Sequence, residues 1–240
     1  MPLVQIRRIG CIHFDLTSIA NPISTIRTAM AGSVDDFADA LIVLPEAIDL
    51  GDKWGCAKAE ETPVFIIDEL ETLSRELNVA FVVGLNCSDK PFNSAFLIDP
   101  QRSSRLSRKI NDGSAGDGSG CMDYRGLTVA SLICNDAINL KYAPHTDPSH
   151  RRVLECFKGA QAGNSTVLCV PDRMTTCSPR VVAETWAERL RDLNVVIANV
   201  KVKNDGWSGI RIANGEWKEC QEGRCLQPLP SGGSLLVLPA

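Results

Sequence analysis

Hydrophobic positions along the chain fall into two alternating patterns. Over residues 22–39, Ile23, Ile26, Met30, Val34 and Phe37 recur at intervals of three and four, the period of one helix face. Asn21-Pro22 supplies an N-cap and a proline at the first helical position. The run "ALIVLPE" that follows is short, continuous and rich in branched residues, which predicts a buried strand. The alternation continues with a helix over 63–77, carried by Ile66, Leu70, Leu73 and Leu77, and strands at "VAFVVGL" and "NSAFLID". The second half repeats the theme: strand "LTVASLIC", a helix near 150–162, strand "STVLCVP", a helix near 180–193 and strand "NVVIANV". Towards the end, Asn214-Gly215 between two short strand-like segments predicts a two-residue hairpin turn. Strands interleaved with helices in two similar halves predict an α/β layered sandwich, read as one domain over 1–240.

Several strand runs end on polar residues: Glu46, Asn86, Asn135 with Asp136, and Asp172. In open α/β sheets ligands bind beyond the carboxyl ends of strands. The pattern therefore delivers an acid and, through Cys134 in "SLICNDA", a thiol to one rim.

Composition narrows the partners. The chain is 44% hydrophobic and 22% charged with a net charge of -4, which gives no electrostatic reason to expect nucleic acid. No apolar run approaches the roughly 20 residues of a membrane-spanning helix. The start "MPLVQIRRIG" has no apolar core followed by a cleavage site, so the expected location is the cytoplasm. Cysteines stand at positions 11, 56, 87, 121, 134, 156, 169, 177, 220 and 225 with no C-x-x-C, and free thiols are expected, Cys220 and Cys225 around "QEGR" included. His13, His145 and His150 are not set at i, i+4, so no zinc site is expected from them.

Taken singly, a cysteine at a strand end, a glutamate after a proline and Lys109 in the basic run "RSSRLSRKI" are ordinary features. Taken in order they resemble the nitrilase superfamily of carbon–nitrogen hydrolases. "ALIVLPE" resembles that family's strand ending in Pro-Glu, which makes Glu46 the general base. "NSAFLID" followed by "RLSRKI" resembles its asparagine-led strand pair ending in the active-site lysine, here Lys109. "SLICNDA" resembles its nucleophile segment, with Cys134 as the nucleophile; "VLCVPDRM" and "LRDLNVVIANV" resemble the later strands that reach the rim. The resemblance implies a four-layer αββα sandwich, assembled as a homodimer or larger homo-oligomer.

The chemistry suits the residue types. A thiolate attacks a weakly electrophilic carbonyl or nitrile carbon and leaves a thioester or thioimidate that water cleaves later, so one hard step becomes two. Glu46 would take the Cys134 proton, return it to the leaving amine and activate water. Lys109, together with the backbone N–H of Asn135, would stabilise the tetrahedral oxygen. Arg173 is a candidate for a substrate carboxylate. The resemblance thus implies thiol-dependent hydrolysis of a small amide or N-carbamoyl compound, a scheme that needs neither cofactor nor metal. The alternative is an acyl-transferring or catalytically silent member of the fold that serves as a binding or assembly subunit.

The stretch between Lys109 and Cys134 departs from the family pattern. The 24 residues between Lys109 and Cys134 contain no glutamate, where the family usually carries a second one. Instead the segment reads "INDGSAGDGSGCMDY", and a mobile loop over 111–123 is expected there, with Asp112, Asp117 and Asp123 as its acidic groups.

Overall fold

The computed structural model of the protein describes residues 5–15, 22–31, 37, 39–46, 48, 64–87, 92–101, 103–108, 121–133, 137, 148–161, 163–172, 194–198, 200–201, 208–220, 227–228 and 233–239. Along the chain these form β1 (Arg8–Asp15), α1 (Pro22–Ala31), β2 (Ala40–Glu46), α2 (Val64–Leu77), β3 (Ala80–Cys87), β4 (Phe92–Ile98), β5 (Ser103–Arg108), β6 (Cys121–Tyr124) and β7 (Leu127–Ser131). There follow α3 (Pro148–Lys158), β8 (Ser165–Pro171), β9 (Asn194–Ala198), β10 (Val200–Lys201), β11 (Ser208–Arg211), β12 (Trp217–Cys220), β13 (Gln227–Pro228) and β14 (Gly233–Pro239).

The strands make two mixed sheets. One runs in the order β13-β14-β1-β2-β3-β4-β5, with β10 also pairing β1; the other runs β12-β11-β9-β8-β7-β6. At the heart of each lie three parallel strands, β1–β2–β3 and β7–β8–β9. The sorting of side chains follows from the two-residue period of a strand. Ile9, Cys11, Leu41, Val43, Ala80 and Val82 point between the sheets and meet Val129, Val167, Cys169 and Val196 of the other sheet. Their neighbours Ile12, Ile42, Leu44, Phe81 and Val83 point the opposite way, onto Ile23, Ile26 and Met30 of α1 and Leu70, Leu73 and Leu77 of α2. On the far side, α3 packs Val153, Leu154, Cys156 and Phe157 against the second sheet. The layers are therefore helix, sheet, sheet and helix, the α/β sandwich expected.

Helix ends depart from periodicity where backbone chemistry intervenes. The apolar spacing predicts α1 through residue 39, but Asp39 has φ 62°, in the left-handed region no helix continues through. Its amide donates to the Asn78 carbonyl at 3.1 Å and its carboxylate accepts from Asn78 Nδ2 at 3.1 Å. Asn78 itself, at φ 50°, closes α2: the Val79 N–H reaches back to the Ser74 carbonyl at 3.2 Å, the six-to-one bond of a Schellman cap. These two turns deliver the chain into β2 and β3 side by side.

Three other expectations are corrected. The connection between β11 and β12 is not a two-residue turn: Arg211 pairs with Trp217, so five residues intervene. The Gly215 N–H to Ile212 carbonyl bond of 2.8 Å closes a β-turn with Asn214 at φ 58°, so the Asn-Gly signal marks a turn inside a longer loop. Residues 121–123, read as the end of a mobile loop, belong to β6, where Asp123 accepts hydrogen bonds from Thr128 Oγ1 and Asn164 Nδ2. The expected free thiols are also corrected: Cys121 and Cys156 are joined in a disulfide, with Cα atoms 6.1 Å apart. The pair escapes sequence reading because β6 and α3 are brought together only by packing around β7. The helix expected over 180–193, Cys225, Asp112 and Asp117 lie outside the described residues.

Candidate functional site

Glu46 is the last residue of β2 and only 5% exposed. Its direction is set by a bulge. Val43 pairs with Val82 and Glu46 with Gly84, so β2 uses three steps where β3 uses two. The extra residue falls at the Leu44-Pro45 step, where proline has no N–H to give to the ladder. Without that insertion Glu46 would share the face of Ile42 and Leu44, beneath the helices. With it, Glu46 shares the face of Val82 and Gly84, between the sheets. A proline inside a strand run thus re-aims the acid that follows it.

The second sheet comes to meet that acid. The Glu46 N–H donates to the Asp172 carbonyl at 3.2 Å, and the Asp172 N–H donates to the Ala198 carbonyl at 2.8 Å. The carboxyl ends of β2, β8 and β9 therefore share one rim. Asp172 is fully buried there. Beside it, on β1, the buried His13 is hydrogen-bonded through Nδ1 to Oγ of Ser208 on β11, at 2.9 Å. Among the described residues these two polar ties, Glu46–Asp172 and His13–Ser208, hold the sheets together at the rim. His13 and Ser208 were not singled out from sequence; a histidine inside the otherwise apolar "IGCIHF" was the available signal.

Gly84 explains how close the sheets come. A Cβ there would lie 3.2 Å from Pro171 Cβ and 3.4 Å from Glu46 Cα. A glycine inside a strand marks such an approach, and the run "FVVGLN" carried that signal. Gly84→Val is expected to cost about 1–3 kcal/mol by overpacking and to lower Tm by roughly 2–10 °C for a chain of this size. Gly84→Ala should fall short of that. Thermal melting followed by circular dichroism checks both, and a wild-type Tm for the valine variant would refute the tight sheet contact.

Of the residues singled out from sequence, Glu46 is described; Lys109, Cys134, Asn135 and Arg173 lie outside the described residues, but their described neighbours converge. Cys134 follows Ile133, which is buried, and the Leu132 N–H donates to the Cys169 carbonyl at 3.1 Å, continuing the β7–β8 ladder. Ser131 pairs with Cys169, three residues before Asp172, the residue that accepts from Glu46. Ala137, just beyond, is also buried. Lys109 follows Arg108, which pairs with Ser94 on β4. One step back, Ser107, Ala95, Gly84 and Glu46 stand in one row across β5, β4, β3 and β2. Arg173 follows Asp172.

Two other thiols are sealed. Cys11 and Cys169 are buried between the sheets, and burial pushes the Cys169 thiol far above its ordinary range, so it holds its proton at neutral pH. Among the described residues no group of three or more His, Cys, Asp or Glu side chains is placed to hold a metal ion. No described helix is long and apolar enough to cross a membrane.

No family model and no curated protein matches the chain. Solved structures do. A double mutant of the amidase from Nesterenkonia sp. AN1 in complex with acrylamide superposes with a TM-score of 0.68 at 18% identity, over 100% of this chain and 92% of that one. A single mutant of the same amidase, showing covalent addition of the acetamide moiety of fluoroacetamide at its active-site cysteine, gives a TM-score of 0.70 at 19% identity, with coverage of 100% and 92%. A cysteine mutant of it, described as belonging to the nitrilase superfamily, gives 0.66 at 18%, again over 100% and 92%. At such identities the likeness is one of fold: the chain has the sandwich of nitrilase-superfamily amidases.

Proposed function

We propose that the chain is a nitrilase-superfamily hydrolase that cleaves non-peptide C–N bonds of small amide or N-carbamoyl substrates through a thioester on Cys134. The observation that carries this reading is the turn of Glu46 out of the helix-facing side of β2 onto the inter-sheet rim. There its amide donates to the Asp172 carbonyl, and Leu132, just beyond β7, donates to Cys169 on the same strand β8. A buried carboxyl group at the carboxyl end of β2 supports the reading of Glu46 as the base.

Cys134 attacks the carbonyl carbon while Glu46 takes the thiol proton. Lys109 and the Asn135 backbone N–H stabilise the tetrahedral oxygen, a contribution of about 2.7–4 kcal/mol for one such donor. The tetrahedral carbon expels ammonia or amine, which leaves with the proton held by Glu46. Water, deprotonated by Glu46, then attacks the thioester and releases the acid and the Cys134 thiol. Where the substrate carries a carboxylate, Arg173 receives it.

The purified protein, offered small amides, ureido acids and nitriles in turn, is expected to release ammonia from one of the first two classes. Acid quenching during turnover of a slow substrate is expected to leave the acyl mass on the peptide containing Cys134. Absence of ammonia from every class, or an acyl mass on another cysteine, would sink the reading.

A further inference from the structure

We propose that Cys121 and Cys156 form a reversible thiol–disulfide exchange site, taking small disulfides of the glutathione type, whose oxidation state sets the order of the β6–β7–α3 unit leading to Cys134. The two sulfurs are bonded across 6.1 Å between Cα atoms, inside the usual span of a disulfide. Both residues are half-buried, whereas Cys11 and Cys169 are sealed. A small thiol or disulfide thus has access to this pair and not to those two.

Position gives the bond its consequence. Cys121 opens β6, the edge strand of the second sheet, and stands opposite Ala130 of β7. Cys156 lies on α3, which packs against β7. The bond therefore joins two of the elements that enclose β7, and the ring of 35 residues' separation that it closes contains β7, Ile133, Cys134 and Ala137. A cross-link of this kind removes freedom from the enclosed chain, and preorganising a nucleophile raises its reactivity. Under the function proposed above, on which this regulatory role rests, one thiol in the ring must stay reduced while the pair that closes the ring responds to the surroundings.

The exchange balances. The Cys156 thiolate attacks glutathione disulfide, forming a mixed disulfide and releasing one glutathione thiolate. The Cys121 thiolate then attacks the Cys156 sulfur, forming the internal bond and releasing the second glutathione. Two protein thiols lose two electrons and two protons, and one glutathione disulfide becomes two glutathione thiols.

The test is a titration of the full-length protein in glutathione buffers, with the Cys121–Cys156 linkage read by mass spectrometry after alkylation. Amide hydrogen exchange of residues 127–131 and 148–158 and turnover are read on the same samples. The linkage is expected to pass from oxidised to reduced across the buffer series, with exchange in both segments at least fivefold faster and turnover about three- to tenfold lower in the reduced form. The Cys121→Ser/Cys156→Ser variant should match the reduced protein without any reductant and stay unchanged by oxidant; should it fail to fold, the wild-type series alone decides. A linkage that survives every glutathione ratio overturns the exchange site. A linkage that titrates while hydrogen exchange stays constant overturns its control over β7. If both respond but Cys134→Ala leaves turnover intact, the catalytic reading fails and the exchange site stands.

Discussion

Glu46→Gln is expected to lower turnover by about a thousandfold or more while the protein stays folded with a Tm within a few degrees of wild type. Glutamine keeps the shape and the polarity but has no basic oxygen pair, and general acid–base catalysis contributes roughly 10²–10⁴-fold. Under the proposed mechanism one carboxylate serves three transfers, from the thiol, to the leaving amine and from water, so its loss should fall at the upper part of that range. The backbone bond from Glu46 to Asp172 is made by the main chain and survives the change. Stability should therefore separate cleanly from activity. Ammonia release under saturating substrate, with a thermal melt of the same preparation, reads both. A variant that keeps more than a tenth of wild-type turnover would mean that another group is the base.

The elements that periodicity located well are those whose burial is one-sided or complete. The run "ALIVLPE" became β2 at the same bounds, because all seven residues are buried. Helix α2 lies within a residue of the expected 63–77, since Leu70, Leu73 and Leu77 form one stripe against Phe81 and Val83. Where the reading failed, the cause was a contact distant in sequence or a local backbone geometry. Asp39 is bent into the left-handed region between α1 and β2 and bonds Asn78, thirty-nine residues on. The Cys121–Cys156 pair depends on how α3 docks beside β6, and no spacing of cysteines encodes it.

The candidate site shows the same division. Glu46 was legible as an acid at a strand end, but its face was not: strict alternation places it with Leu44 under the helices, and the bulge at Pro45 reverses that. Gly84, His13 and Asp172 matter because two sheets meet at the rim, and sheet-on-sheet packing is invisible to a pattern read along one strand. The roles proposed for Lys109, Cys134, Asn135 and Arg173, which lie outside the described residues, rest on resemblance in motif and order.

Cys134→Ala is expected to fold and to lose turnover by about 10⁴-fold or more, the scale at which removal of a covalent nucleophile is felt. The alternative account of "SLICNDA" is a merely buried thiol, and it makes the opposite forecast. Ile133 and Ala137 on either side are packed in the core, so a structural cysteine between them would leave a cavity when cut to alanine, with lower Tm and little change in rate. Alkylation separates the two accounts without a substrate. A small haloacetamide is expected to label Cys134 far faster than the other nine cysteines, because an activated thiolate alkylates faster than a thiol. Cys169 is held protonated by burial and Cys11 is sealed between the sheets, while Cys121 and Cys156 are bonded to each other. A single fast label that disappears in Cys134→Ala, and slows in Glu46→Gln because the base is gone, identifies an activated thiolate. An alanine variant that still turns over substrate would make the thiol a packing residue and remove the covalent mechanism.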